Sequence, residues 1–162
     1  LTVAGEAEGE VVIDLNEEAA PQHAQRLETL TREGAYDDVV FHRVIDGFMA
    51  QTGDVENGRA GGDLMRAGTG GSDLPDLPAE FSSLPFERGV VGMARSRDPD
   101  SANSQFFIMF DRAEHLDGQY TVVGAVTEGM EVVDEIRRGA EGSGTVSGTP
   151  DRIVTAVMRA AP

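Results

Sequence analysis

The chain contains neither cysteine nor lysine, and these two absences exclude several kinds of chemistry. Without cysteine there is no disulfide, no thiol nucleophile and no thiolate ligand for a metal. Without lysine there is no amine for a Schiff base and no P-loop lysine for a nucleotide phosphate. All 13 basic residues are therefore arginines, which are permanent cations with several hydrogen-bond donors.

Positive charge is also scarce, because 29 acidic residues stand against 13 basic ones and the formal net charge is −16. Such a surface repels phosphate groups, so we expect neither nucleic acid nor an anionic membrane as a partner. We interpret the acidity as a means of solubility, with adaptation to a salty environment as the alternative. Long apolar runs are missing as well, since no stretch approaches the roughly 18 residues that span a bilayer.

The sequence does contain a series of short stretches in which apolar and polar residues alternate, the pattern of half-buried β-strands. With 162 residues, 40% of them hydrophobic, the chain has the size and composition of a single globular domain over residues 1–162. Eight strands are enough to close a small antiparallel β-barrel, so we predict a mainly β fold of that kind. The predicted strands are Leu1–Val3, Gly9–Leu15, Val39–Val44, Phe48–Gly53, Val90–Arg95, Gln105–Met109, Thr121–Val126 and Ile153–Arg159.

Two predicted α-helices interrupt the strands and are expected to cap the barrel. The first runs from Pro21 to Glu33, because proline is favoured at a helix start and Gly34 suits the C-terminal cap. The second runs from Met130 to Arg138, and Gly139 is expected to stop it.

Residues 56–80 form a long stretch that is rich in Gly, Asp and Pro. Its run Gly68-Thr69-Gly70-Gly71 has the composition of a phosphate cradle, but neither the surrounding pattern nor the acidity of the chain suits one. Irregular segments of this length in compact domains are usually functional or mobile. We therefore interpret residues 56–80 as a surface loop beside a site.

The histidines offer no metal site, because His23, His42 and His115 have no zinc-like spacing and no obvious third ligand. We expect His23 to be exposed on the first helix and His42 to be a satisfied core or semi-buried histidine within a strand. Serine-type acyl transfer has no support either, since there is no Gly-x-Ser-x-Gly elbow. We therefore expect no metal and no cofactor.

Two segments are unusual for a small β protein. Residues 104–110 read Ser-Gln-Phe-Phe-Ile-Met-Phe and are apolar on both faces of the predicted strand. The strand is therefore either covered on both sides or presents an apolar binding groove on the outside of the barrel. Residues 41–54 place Arg43 in an apolar strand, where it is either a structural ion-pair partner or a cation beside a pocket near Phe48 and Met49.

Together these segments resemble the cyclophilins. The strongest match is FHRVIDGFMAQTGD at 41–54, and support in the same order and spacing comes from GVVGMAR at 89–95, SQFFI at 104–108 and LDGQYTVVGAVTEGM at 116–130. The similarity covers nearly the whole chain, and GTGGSDLPDLPAEF at 68–81 is similar to the bacterial branch of the family. The resemblance implies an eight-stranded barrel capped by two helices, a substrate groove on its outer wall, and peptidyl-prolyl cis-trans isomerase activity.

The resemblance also implies a role for individual residues by their position in these motifs. Arg43 corresponds to the catalytic arginine of the family. Phe48, which matches the proline pocket, and Gln51, which matches a side chain that hydrogen-bonds the substrate, are assigned to catalysis with it. The remaining assignments are to substrate binding: the proline pocket with Met49, Phe107 and Leu116, the hydrogen-bonding Gln105, the strand beside the substrate backbone with Ala94 and Arg95, and the pocket edge with His115 and Tyr120.

Three of these positions depart from the family pattern. His115 stands where the family commonly has Trp, a position tied to cyclosporin binding, so we expect cyclosporin to bind weakly while isomerase activity is kept. Tyr120 replaces a frequent His and keeps an aromatic wall. Arg95 replaces a frequent Asn whose contact with substrate is through the backbone, so the change should be tolerated.

Three functions follow from these readings. The first is an isomerase that rotates Xaa-Pro bonds in proline-containing polypeptides, assists protein folding and is expected to be a monomer. The second is a proline-peptide-binding chaperone or scaffold with little turnover, although binding alone would not require Arg43. The third is a small-ligand barrel of the lipocalin type, against which the long mid-chain loops and the external Arg43 count.

The start of the chain bears on its location. Leu1 to Ala4 show neither the basic end nor the apolar run of an intact signal peptide. Because similar bacterial chains often follow a cleaved leader and this one begins without Met, we expect the periplasm, with the cytoplasm as the alternative.

Overall fold

The computed structural model describes residues 1–160, and they form a mainly β fold with two α-helices. All of the strand pairs are antiparallel. The helices are α1 (Pro21–Arg32) and α2 (Met130–Asp134). The strands are β1 (Thr2–Ala4), β2 (Gly9–Glu10), β3 (Val12–Leu15), β4 (Val39–Val40), β5 (Arg43–Ile45), β6 (Met49–Thr52), β7 (Val90–Met93), β8 (Phe106–Met109), β9 (Val122–Glu128) and β10 (Arg152–Thr155).

These strands form two sheets, one in the order β2-β1-β10-β4 and the other in the order β3-β9-β7-β8-β6-β5. In the second sheet, Arg43 lies opposite Gln51, Gln51 lies opposite Phe107, and Phe107 lies opposite Gly92. This row crosses four neighbouring strands, so the fold brings together residues that are far apart in the sequence.

The structure divides two of the predicted strands, so it contains more strands than the predicted eight. The predicted strand Gly9–Leu15 divides at Val11, and Val39–Val44 divides at Phe41 and His42. At each division the chain leaves the four-stranded sheet and enters the six-stranded one. Val11 and Phe41 are both buried. The alternation of apolar and polar residues in the sequence therefore does not show where these two predicted strands break.

The first helix is confirmed and the second is shorter than predicted. After α1, Gly34 adopts a φ of 72°, a left-handed conformation that favours glycine at a helix end. The second helix was predicted to reach Arg138 but ends at Asp134. Beyond it, the Ile136 N–H donates to the Val133 carbonyl, the tighter hydrogen-bond pattern of a 3-10 turn. Neither α1 nor α2 is long and apolar enough to cross a membrane.

The apolar side chains form two clusters, one on each face of β8. Phe106, Ile108 and Phe110 belong to the larger cluster, which includes buried residues of α1. Phe107 and Met109 belong to the smaller cluster. The alternation predicted for residues 104–110 is therefore confirmed, and both faces of the strand pack against apolar neighbours. The other buried members of the smaller cluster are Met49, Phe86, Ala113, Leu116 and Val122.

The prediction that His23 is exposed was wrong, because this side chain is fully buried. Its ring Nδ1 lies 2.5 Å from Oε1 of Glu80, and its backbone N–H donates to the same oxygen at 2.9 Å. Glu80 is 57 residues away in the chain, so the helical pattern carried no sign of this partner. The contact ties the end of the 56–80 segment to α1.

The Glu80 carboxyl is expected to make folding stability dependent on pH. Burial disfavours its charged form, but the hydrogen bonds from His23 and from the Gln22 backbone outweigh burial and lower the pKa of Glu80 below its ordinary value of 4.5. A carboxyl whose pKa is lowered on folding stabilises the protein above the unfolded pKa, and this stabilisation is lost as the pH falls through the lowered value. We therefore expect the urea unfolding midpoint to fall more steeply below pH 4.5 in the wild type than in Glu80→Gln.

The matched control for this experiment is Glu28→Gln. Glu28 lies on α1, the helix that carries His23, and pairs with Arg32 near the surface. We expect its pH profile to follow the wild type, because exposed pairs of this kind contribute little. Identical profiles for the wild type and Glu80→Gln would contradict the role assigned to Glu80.

Candidate active site

The predicted site residues come together on one face of the six-stranded sheet, above the smaller apolar cluster. Five of them form a surface that we call the apolar patch: Phe48, Met49, Phe107, Leu116 and Tyr120. Met49, Phe107 and Leu116 are buried, whereas Phe48 and Tyr120 are partly exposed. The patch therefore has an apolar base and aromatic edges.

Aromatic contacts define the two edges of the apolar patch. On one side, the Phe48 and His115 rings lie 5.6 Å apart between centroids, and His115 is exposed. On the other side, the Tyr120 ring meets Phe107 edge to face at 5.9 Å. Ala94 also packs against the patch, and its backbone N–H donates to the Gln105 carbonyl.

Arg43 is exposed beside this patch and is held by two oxygen acceptors. Its Nε donates to the Ser143 carbonyl at 3.1 Å, and one terminal nitrogen donates to Oε1 of Gln51 at 3.4 Å. No ion pair within residues 1–160 includes Arg43. The interpretation of Arg43 as a structural ion-pair partner therefore has no support in the described part of the chain.

Gln51 and Gln105 continue the hydrogen-bond chain that begins at Arg43. The Gln51 amide donates to Oε1 of Gln105 at 3.0 Å, and the Gln105 amide donates to the Gly70 carbonyl at 2.9 Å. Each amide is oriented by its neighbour, so the Gln51 oxygen is directed at Arg43. The chain of contacts also places the 56–80 segment beside the site, as expected.

The glycine-rich run that has the composition of a phosphate cradle uses its N–H groups on a carboxylate of this chain. Asp54 is fully buried, and its Oδ2 accepts from the N–H groups of Gly68 and Gly70 at 2.8 and 3.0 Å. Its Oδ1 accepts from Glu56 and Asn57. Asp54 lies two residues after the end of β6, the strand that carries Gln51, so it fixes the loop close to the site.

Three residues that the sequence reading missed also shape the site. Phe86 is fully buried and stacks on Phe107 with centroids 5.8 Å apart. Gly92 leaves room for both rings, since a Cβ there would lie 2.5 Å from Phe107 and 2.6 Å from Phe86. Ser143 holds Arg43 through its carbonyl. Phe86 and Ser143 lie outside the predicted strands, so alternation gave no signal for them.

A cavity of about 430 Å³ is lined by Arg43, Gln51 and several residues of the 64–69 stretch. His42 lines it and is buried, and neither of its ring nitrogens has a hydrogen-bond partner. Burial lowers the pKa of His42 to about 4, so the ring is neutral at pH 7. The prediction of a satisfied or semi-buried histidine within a strand was therefore wrong, because His42 is buried between β4 and β5 and its ring nitrogens are unsatisfied. A second cavity, of about 490 Å³, lies beside β3 and contains none of the predicted site residues.

Comparison with known protein families explains this arrangement. The family model "Cyclophilin type peptidyl-prolyl cis-trans isomerase/CLD" matches residues 1–158. The chain belongs to this family. Membership confirms the resemblance seen in the sequence and removes the lipocalin-type alternative.

Bacterial cyclophilin relatives are similar over most of this chain. A "Probable peptidyl-prolyl cis-trans isomerase" of Brucella suis is 56% identical over 155 residues, which cover 94% of this chain and 79% of that protein. A "Peptidyl-prolyl cis-trans isomerase" of Helicobacter pylori is 38% identical over 135 residues, covering 81% of this chain and 76% of that protein.

Solved cyclophilin structures share the fold. A cyclophilin of Hirschia baltica superposes with a TM-score of 0.77 at 28% identity, over 96% of this chain and 73% of that one. A cyclophilin-type isomerase of Cryptosporidium parvum, crystallised in the presence of the dipeptide Ala-Pro, gives a TM-score of 0.79 at 25% identity over 94% of each chain. The mainly β cyclophilin fold with two helices is therefore established for this chain.

Proposed function

We propose that this chain catalyses cis–trans isomerisation of Xaa-Pro bonds in protein substrates, with Arg43 as the donor that stabilises the transition state. One observation carries the proposal. An exposed guanidinium with no carboxylate partner within residues 1–160 is held by Ser143 and Gln51 beside the apolar patch. This arrangement fits a prolyl residue, because the apolar ring can pack on the apolar patch while the polar nitrogen lies beside the cation.

Amide resonance determines how far the rotational barrier must be lowered. Rotation about a peptide C–N bond faces a barrier of about 18–20 kcal/mol, and for Xaa-Pro bonds it takes tens to hundreds of seconds. Bringing this to milliseconds requires about five decades in rate, or roughly 7 kcal/mol off the barrier. No bond is made or broken, so the reaction requires neither a nucleophile nor a metal.

Arg43 supplies an interaction that strengthens as the bond twists. In the twisted state the prolyl nitrogen loses its conjugation and becomes a better hydrogen-bond acceptor. A donor that binds this state more strongly than the planar one accelerates the reaction. A preorganised donor in a site that excludes water contributes about 3–4 kcal/mol, by comparison with oxyanion holes.

The other site residues supply the rest by holding the substrate. Phe48, Met49, Phe107 and Leu116 hold the prolyl ring in the apolar patch, with Tyr120 and His115 at its edges. Gln51 and Gln105 bind the flanking chain, and the backbone of Ala94 and Arg95 pairs with it. An apolar environment also favours the twisted amide, which is less polar than the planar one.

The proposal extends to the architecture that carries this groove: one domain over residues 1–162, built as a closed eight-stranded barrel capped by α1 and α2. Two continuities support closure. The edge strand β2 leads into β3 across Val11, and the edge strand β4 leads into β5 across two residues. When each pair is counted as one strand, eight strands follow one another around a ring.

The substrates are proline-containing polypeptides, in keeping with the Ala-Pro dipeptide used with the Cryptosporidium parvum relative. Weak cyclosporin binding because of His115, a monomeric state and a periplasmic or cytoplasmic location stay predictions. The binding module with little turnover is the alternative that an experiment must separate from the isomerase.

The test is the exchange rate of an Ala-Pro-Phe peptide, measured by NMR with and without the protein. We expect catalytic amounts of the wild type to bring exchange from tens of seconds to about milliseconds at the enzyme. Peptide that binds, as seen by shifts of its resonances, and yet exchanges at its uncatalysed rate would overturn the isomerase and leave the binding module.

A further inference from the structure

Two arginines at the site keep their charge uncompensated in a strongly acidic protein. Within residues 1–160, seven arginines lie within 4.0 Å of a carboxylate, and Arg43 and Arg95 are not among them. The paired arginines are Arg32, Arg88, Arg112, Arg137, Arg138, Arg152 and Arg159. Both guanidiniums of the site are therefore without a carboxylate partner within 4.0 Å, although the chain has a net charge of −16.

Arg95 is held in place at the border of the apolar patch. Its guanidinium carbon lies 4.2 Å from the centroid of the Tyr120 ring, which itself packs edge to face on Phe107. Nε and one terminal nitrogen donate to the Gln119 carbonyl at 3.2 and 2.7 Å, and the other terminal nitrogen donates to the Ser96 carbonyl at 2.9 Å. Every acceptor is a neutral carbonyl, so the position is fixed and the charge is not cancelled.

The acidic residues that follow Arg95 in the chain are engaged elsewhere. Oδ1 of Asp98 accepts from the Asp100 N–H at 2.9 Å. Oδ1 of Asp100 accepts from the Ala79 N–H, also at 2.9 Å. Both carboxylates bind backbone N–H groups, Asp98 within its own turn and Asp100 in the segment that ends at Glu80, and neither pairs with Arg95.

The two cations lie on opposite sides of the apolar patch. Arg43 is on β5, and Arg95 follows β7 by two residues. In the order β7-β8-β6-β5, two strands separate β7 from β5. With strands about 4.8 Å apart, β5 and β7 are roughly 14 Å from each other, the length of about four residues of extended chain. A peptide with its proline on the patch therefore reaches toward both cations.

We infer that the groove selects proline-containing chains that carry an acidic side chain close to the proline, with Arg95 as the specificity-determining residue. This inference rests on the proposed isomerase function. A Glu or Asp side chain meets a fixed guanidinium there, whereas a Lys or Arg side chain meets a like charge. Arg43 adds to the positive potential from the other side of the patch.

The effect is modest in size because the charges are accessible to water. An exposed ion pair typically increases a binding constant by roughly two- to fivefold, and a pair of like charges decreases it by a similar factor. We therefore expect Glu to exceed Lys by about fivefold in kcat/KM at the favoured position. Because exposed charges are screened by salt, the ratio should approach one at an ionic strength of about 1 M, where the Debye length is only about 3 Å.

The test uses a set of peptides, each with a single proline. In each peptide one position carries Glu, Gln or Lys, and this position is one of the two residues before the proline or one of the two residues after the proline. For each position we compare the ratio of kcat/KM for Glu to that for Lys, which is independent of the amount of active enzyme. The wild type is expected to prefer Glu, and Arg95→Gln to lower that ratio by about threefold. Arg95→Lys keeps a cation and is expected to retain most of the preference.

Arg32→Gln is the matched control, because it removes one exposed arginine from α1, where it pairs with Glu28. We expect it to keep the wild-type ratio, so that a change in net charge alone is excluded as the cause. Equal rates for all the peptides in the wild type, or an unchanged ratio in Arg95→Gln, would overturn the specificity. A wild type that accelerates none of the peptides would instead overturn the isomerase function itself.

Discussion

Arg43→Ala is expected to lower kcat/KM for cis–trans exchange by roughly two to three decades, the loss that follows removal of one preorganised donor from a catalytic site. The side chain is exposed and its described contacts are with two oxygens, the Ser143 carbonyl and Oε1 of Gln51. The donor is needed most when the prolyl nitrogen is pyramidal, so the loss should be in kcat more than in peptide affinity.

The measurement combines NMR exchange of an Ala-Pro-Phe peptide, a peptide titration and a thermal melt for each variant. We expect the melting temperature of Arg43→Ala to stay close to the wild type, because surface substitutions of this kind usually change stability by no more than about 0.5 kcal/mol. Water can replace the guanidinium at the exposed Ser143 carbonyl. A loss of activity in this variant therefore reports on catalysis and not on unfolding.

Two further variants sharpen the result for Arg43. Arg43→Lys keeps the charge but loses the planar fork of donors, so its activity should fall between those of the wild type and Arg43→Ala. Arg32→Ala removes an arginine outside the site and should keep full activity. If Arg43→Ala retained more than about a tenth of the wild-type kcat/KM, the donor would supply less than about 1.4 kcal/mol and could not be the main source of catalysis.

The local parts of the fold could be predicted because each depends on a pattern within one segment. Alternation placed Phe106 and Phe107 on opposite faces of one strand, and the pair of clusters around β8 confirms it. Proline at the start and Gly34 at the end marked α1. The motif around Arg43 identified the family, and the predicted site residues lie together.

The parts that escaped prediction depend on partners far away in the chain. The burial of His23 requires Glu80, and the use of the Gly68 and Gly70 N–H groups requires Asp54. The pattern of apolar and polar residues in each of these segments does not indicate which distant residue it will bind. The division of the predicted strand at Val11 is similar, because Val11 itself is buried while the pairing partner changes from one sheet to the other.

Asp151 makes a further long-range contact of this kind, in which one buried carboxylate joins three parts of the chain. It is 1% exposed and lies just before β10. Oδ1 accepts from the N–H groups of Glu6 and Ala7 at 2.5 and 3.4 Å, and Oδ2 accepts from the Arg137 N–H at 2.6 Å. Gly5 adopts a φ of 138° beside it, and a Cβ at that position would overlap the carboxylate. Asp151 thus holds the turn after β1 against the segment that follows α2.

We expect Asp151→Ala to lower the free energy of unfolding by about 3–5 kcal/mol, since each backbone N–H left unsatisfied inside the protein costs about 1–3 kcal/mol. This is a large share of the roughly 5–15 kcal/mol that typically stabilises a domain. The measurement is the urea midpoint at pH 7, followed by circular dichroism.

Asp151→Asn keeps one acceptor oxygen but turns an NH₂ toward a donor, so we expect a smaller loss of about 2 kcal/mol that leaves a folded protein to measure. Asp14→Ala, at an exposed position of β3, should stay within about 0.5 kcal/mol of the wild type. If both Asp151 variants unfolded at the same urea concentration as Asp14→Ala, the carboxylate would not be what joins these segments.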